Sequence, residues 1–77
     1  MTVKVYSTPT CPYCDMVKDF LKKNKVEFED IDVSNNHTAA HEMIEKSGQM
    51  GVPVTDINGK IIIGYNVSAL KDALKIK

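Results

Sequence analysis

Residues 3–21 read VKVYSTPTCPYCDMVKDFL and contain both cysteines of the 77-residue chain, Cys11 and Cys14, with a proline directly after the first. VKVYS alternates and is rich in β-branched and aromatic residues, which predicts a strand over Val3–Ser7. Beyond it Tyr13, Met16, Val17, Phe20 and Leu21 recur every three or four positions, the spacing of an amphipathic helix that ends near Asn24. The cysteines therefore lie at a strand-to-helix turn. If the helix begins at Pro12, Cys11 is its N-cap, where an oxygen-bearing side chain usually accepts hydrogen bonds from the free amides of the first turn. Proline suits the first helical position because its missing N–H goes unused there.

That placement predicts different chemistry for the two sulfurs. Thiolate is the expected form of Cys11, since Cys-x-x-Cys cysteines at helix N-termini ionise at roughly pH 3.5–7.5, against about 8.5 for free cysteine. Cys14, one turn inside, lacks the free amides and is expected to stay protonated and shielded. Cys11 then attacks and Cys14 resolves. Positions three apart on a helix have α-carbons about 5 Å apart, within the disulfide range, so the pair can close and reopen in place. The loop closed is too small to stabilise the fold much, which favours a reagent over a staple. A zinc site remains the alternative; its other ligands would have to be His37 and His41, more simply read as exposed helix residues.

Outward from the motif, VEFEDIDV predicts a second strand over Val26–Val33, with Val26, Phe28, Ile31 and Val33 inward and Glu27, Glu29, Asp30 and Asp32 on a solvated face. A second helix starts in Ser34-Asn35-Asn36 and stops at Gly48, burying Ala40, Met43 and Ile44. Two strands, Val52–Ile57 and Lys60–Gly64, flank Asn58-Gly59, a type I′ hairpin signal. Ser68 is the expected N-cap of a last helix with Ala69, Leu70, Ala73 and Leu74 inward. The order is βαβαββα. Each of the first two helices is expected to cross between parallel strands, and the last two strands to pair antiparallel, giving an α/β fold with a four-stranded mixed sheet flanked by three helices.

Composition sets the outer limits. The length fits one domain, residues 1–77, and 43% hydrophobic with 26% charged residues is ordinary for a globular protein. Ten lysines offset ten acids and arginine is absent, which argues against nucleic acid or an anionic membrane as partner. With no leader pattern and a longest apolar run of residues 61–64, a cytoplasmic protein is expected, and in that compartment a close cysteine pair points to redox chemistry or metal.

Cys11-Pro12-Tyr13-Cys14 after a first strand, Tyr6 ahead of it, Val52-Pro53, Ile57-Asn58-Gly59-Lys60 and Gly64 together resemble the dithiol glutaredoxins of the thioredoxin fold, in the short bacterial form. The resemblance covers nearly the whole chain. It implies a thiol-disulfide oxidoreductase that reduces protein disulfides or glutathione-mixed disulfides, with no tightly bound cofactor, no metal, glutathione as co-substrate, and a monomeric state. It also implies a cis bond at Val52-Pro53 and a substrate groove of Thr10, Pro12, Tyr13, Val52, Pro53, Gly64 and Tyr65. Thr8 stands where many of the family carry a basic residue, and Gly64-Tyr65-Asn66-Val67-Ser68 replaces their Gly-Gly-acid pattern. That segment resembles instead the glutaredoxin-like hydrogen donors of ribonucleotide reductase, recharged by thioredoxin reductase. A non-catalytic iron-sulfur cluster carrier is the rival from another class, disfavoured by Pro12. Asp56 replaces a usual apolar residue; it is expected to be an exposed acid near the hairpin, the alternative being an acid that assists proton transfer at Cys14. Lys18 and Lys22 are read as solvated, the alternative being a local positive potential at the cysteines.

Overall fold

A computed structural model of the chain describes residues 2–75; Met1, Ile76 and Lys77, at the ends of the expected 1–77 span, lie outside the described residues. The elements are β1 (Val3–Ser7), α1 (Pro12–Lys23), β2 (Glu29–Asp32), α2 (His37–Ser47), β3 (Val54–Ile57), β4 (Lys60–Ile63) and α3 (Val67–Leu74). They form one sheet of order β2-β1-β3-β4, in which β1 and β2 are parallel and the other neighbours antiparallel. The expected thioredoxin-like α/β class and element order hold. The expected second parallel crossover does not: β3 runs opposite to β1, so α2 links antiparallel strands.

Side-chain alternation along the central strand β1 divides the core. Val3 and Val5 face Val17 and Leu21 of α1 and Leu70 and Leu74 of α3, with Ile57 and Ile62 beside them. Tyr6 faces the other way, with Val54, against Ala39 and Met43 of α2. Two helices therefore cover one face and α2 alone the other.

Each boundary has a local cause. Cys11 caps α1; Asn36 caps α2 by accepting from the Ala39 amide at 3.0 Å, and Gly48 ends α2 at φ 73°. Asn58 and Gly59 both take positive φ, as a type I′ turn requires. Asn66, not Ser68, caps α3, accepting from the Ala69 amide at 3.1 Å.

Three further expectations are corrected. In α1 the buried stripe is Cys14, Val17 and Leu21, while Tyr13 and Met16 are 60% and 47% exposed. In α2 the buried pair is Ala39 and Met43, with Ala40 and Ile44 only half-buried. In and before β2, Val26 and Phe28 pack on the α1/α3 core but Ile31 and Val33 on the α2 core, because the spacing from 28 to 31 is odd and changes face.

Candidate active site

β1 ends at Ser7, and the Thr8-Pro9-Thr10 turn carries the chain into α1, with the Cys11 amide donating to the Thr8 carbonyl at 3.4 Å. Cys11 has extended N-cap dihedrals (φ −104°, ψ 107°), and its Sγ accepts the Cys14 amide at 3.3 Å. The sulfur thus takes the acceptor place of the N-cap, where serine, aspartate or asparagine usually stands. Pro12 fills the first helical position.

Both cysteines are free thiols. Cys11 is partly exposed and Cys14 fully buried. Burial pushes the Cys14 pKa up to about 12, the hydrogen bond to Cys11 and its charge adding to the effect while the Thr8 backbone and Lys18 oppose it. One sulfur is presented to solvent at a helix N-terminus, and the other is held protonated behind it.

Facing them, the Val52-Pro53 peptide bond is cis, and the Val52 carbonyl oxygen lies 3.9 Å from Cys11 Sγ. The Gly64 amide donates to the Pro53 carbonyl at 2.9 Å, which ties the end of β4 to this loop. Val52 and Pro53 precede β3 and are not part of it, contrary to the expected Val52–Ile57 strand, and β4 ends one residue before Gly64. Tyr13, 60% exposed, and Tyr65, 39% exposed, leave aromatic surface open. Thr10, Pro12, Tyr13, Val52, Pro53, Gly64 and Tyr65 carry no charge among them.

The loop that delivers Val52 is organised by residues the sequence did not single out. Ser47 Oγ donates to the Met43 carbonyl at 2.7 Å, and the Gln49 carboxamide clamps Gly51, accepting its amide at 2.6 Å and donating to its carbonyl at 2.9 Å. No sequence pattern marks such a clamp.

Asp56 lies beside the hairpin as expected, but it is neither exposed nor on the side of Cys14. The register pairs Lys4 with Asp56, one position along from Val5 and Thr55, so Asp56 points to the α2 side, across the sheet from Cys14. Its side chain is only 13% exposed, accepts Lys46 Nζ at 2.8 Å and accepts the Gly59 amide at 2.8 Å. Burial pushes its pKa up, but Lys46 and the Gly59 amide outweigh that and hold it below the ordinary aspartate value. His37 and His41 lie on α2, on the far side of the sheet from the cysteines, both exposed, and His41 sits 3.1 Å from Glu45. Lys18 is less solvated than expected: its side chain is 20% exposed and its Nζ lies 3.2 Å from Asp30 at the surface.

Residues 3–62 match the family model described as glutaredoxin. A glutaredoxin-like 8.6 kDa protein in the rubredoxin operon of Clostridium pasteurianum is 45% identical over 64 residues, covering 83% of this chain and 85% of that one. Glutaredoxin 3 of Escherichia coli K12 is 36% identical over 62 residues, 80% of this chain and 75% of that protein. The crystal structure of a glutaredoxin from Archaeoglobus fulgidus superposes with a TM-score of 0.88 at 31% identity, over 95% of this chain and 85% of that one.

Proposed function

Because the chain belongs to the glutaredoxin family of disulfide oxidoreductases, we propose that it reduces protein disulfides and glutathione-mixed disulfides, with Cys11 as nucleophile and Cys14 as resolving thiol. The observation that carries this is the contrast between the two sulfurs: Cys11 reaches solvent and accepts a helix amide, while Cys14 is fully buried. Cys11 thiolate attacks one sulfur of the substrate, forming a mixed disulfide and releasing the other substrate sulfur as thiolate. Cys14 then loses its proton and attacks Cys11 Sγ. The intramolecular disulfide forms, the bond to substrate breaks, and the second substrate sulfur leaves with a proton. Two protein thiols are oxidised for each substrate disulfide reduced, and a reductant restores them.

Thr10, Pro12, Tyr13, Val52, Pro53, Gly64 and Tyr65 form the substrate groove in this reading. The Val52 backbone is free to pair with an extended substrate segment beside Cys11, outside the ladder of β3. In this reading the protein works as a single-domain monomer in the cytoplasm.

The family's usual reductant is glutathione, and that is the first assignment for the co-substrate. A second is favoured by the uncharged groove: glutathione carboxylates meet no cation among those seven residues, whereas exposed Tyr13 and Tyr65 suit a protein surface such as that of a thioredoxin reductase. Turnover of the oxidised protein by glutathione with glutathione reductase, compared with turnover by thioredoxin reductase, decides between them. Failure of both would overturn the oxidoreductase reading and leave the iron-sulfur carrier, which anaerobic reconstitution to a stable brown dimer would support.

A further inference from the structure

The resolving step poses a problem that the cysteines alone do not solve. Cys14 is buried and must lose its proton before it can attack, so some nearby group has to favour the anion. The helix offers one at the right place. Lys18 is four residues beyond Cys14 on α1, on the same face one turn away. Its side chain is mostly buried, and its ammonium is held on two sides, by Asp30 of β2 at 3.2 Å and Asp15 of α1 at 3.9 Å. Asp30 is itself fixed, accepting the hydroxyl of Ser7, the last residue of β1, at 2.8 Å. Lysine, aspartate and serine thus join the three elements that meet beneath the cysteine turn.

A cavity of about 240 Å³ lined by Ser7, Thr8, Pro9, Lys18, Asp30 and Asp32 runs along this cluster to the turn. Among the charged groups around Lys18, Asp15, Asp30 and Asp32 are acids, while Asp19 and Lys22 stand further along the same side of α1. Set one helical turn past Cys14, the Lys18 charge favours the Cys14 anion, against the larger opposing effects of burial and Cys11. Lys22, a turn further on, is exposed.

Resting on the reading above, we infer that Lys18, anchored by Asp30 and Ser7, is a positioning residue for the resolving step, stabilising the Cys14 thiolate as its proton leaves for solvent. The first step draws on the Cys14 amide that donates to Cys11 Sγ and the second on a lysine one turn past Cys14. The two half-reactions then have separate electrostatic supports and can be altered independently.

Stopped-flow reaction with an aromatic disulfide that releases a coloured thiolate separates the steps. The first release reports attack by Cys11 and the second reports closure by Cys14. Lys18→Met is expected to leave the first phase unchanged. Its second phase should be roughly threefold slower at neutral pH, because the loss of thiolate exceeds the gain in nucleophilicity that accompanies a more basic sulfur. The pH profile of that phase should move upward. Lys18→Arg should restore it, and Lys22→Met should change neither phase. An unshifted second-phase profile in Lys18→Met would overturn the inference, as would equal slowing of both phases that arginine does not rescue. Absence of the first phase in the unsubstituted protein would overturn the oxidoreductase reading itself, and the inference with it.

Discussion

The two faces of the sheet are held together by different physics. Under α1 and α3 lies a cluster of eight buried apolar residues, with the cysteine turn at its upper end. Under α2 the cluster has four, and one of them, Tyr6, carries a polar tip. There the helix is fastened by a network: Tyr6 donates to Glu42 at 2.6 Å, while Lys46 reaches Tyr6 at 3.0 Å, Glu42 at 3.1 Å and Asp56 at 2.8 Å, and sits 5.4 Å from the Tyr6 ring centroid. The reactive face is thus built mainly from interactions that do not titrate, apart from its cysteines, the Lys18 cluster at its rim and the exposed Lys60–Asp72 pair. The supporting face titrates. Redox reactivity and pH-dependent stability should therefore be separable by mutation.

The most severe test of that separation is Cys11→Ser, which should reduce disulfide turnover to background while thermal unfolding is unchanged. In the unsubstituted protein, iodoacetamide at neutral pH should label Cys11 and leave Cys14 untouched, since Cys14 ionises only near pH 12. Equal labelling would erase the distinction between the sulfurs. Next in size, Leu21→Ala should cost about 2–5 kcal/mol in denaturant unfolding as a cavity opens in the larger cluster. Met43→Ala on the α2 side should cost less, because the smaller cluster can close around it; a reversed order would place the main core under α2.

Lys46→Met tests the supporting face and should destabilise by about 1–3 kcal/mol while disulfide turnover is retained. It should also flatten the acid limb of stability. The hydrogen bond from Tyr6 and the Lys46 contacts hold Glu42 below its ordinary pKa, and Asp56 is likewise low. A lowered carboxylate contributes stability above its unfolded value, so the contribution is complete above about pH 5 and lost as pH falls through and below 4.5 and 3.8. On the basic side Lys46, raised chiefly by Asp56 and Tyr6, keeps its contribution up to its ordinary 10.5 and loses it only in strong base. Thermal melts between pH 2 and 6 would show a steep limb in the unsubstituted protein and a shallow one in the variant. The smallest effect distinguishes caps: Asn66→Ala should cost about 1 kcal/mol and Ser68→Ala little, since only Asn66 accepts from the helix.

What could be read from sequence was what local chemistry determines. The first strand, the start of α1 at Pro12, the Gly48 stop and the Asn58-Gly59 hairpin depend on residues within a few positions of each other, and the structure has them. The cysteine turn was legible for the same reason. Misplaced features depend on partners distant in sequence. Tyr13 and Met16 fit the helical period, yet the sheet selects the stripe of Cys14, Val17 and Leu21. Asp56 reads as an exposed acid near the hairpin until the register of β1 with β3 turns it toward Lys46. Lys18 meets Asp30 only because β2 lies parallel to β1, beside α1.

The position of β1 in the middle of the sheet also bears on how the chain folds. The β3–β4 hairpin closes over two residues, but β1 must find β3 across most of the chain, with Val3 opposite Ile57 and Tyr6 opposite Val54. Closing that long loop is the costly event in assembly, so the seam between first and third strands is expected to form in the rate-limiting step. Val5→Ala would then retard refolding, whereas Met43→Ala would chiefly hasten unfolding; a chevron analysis showing the opposite would refute this order of events.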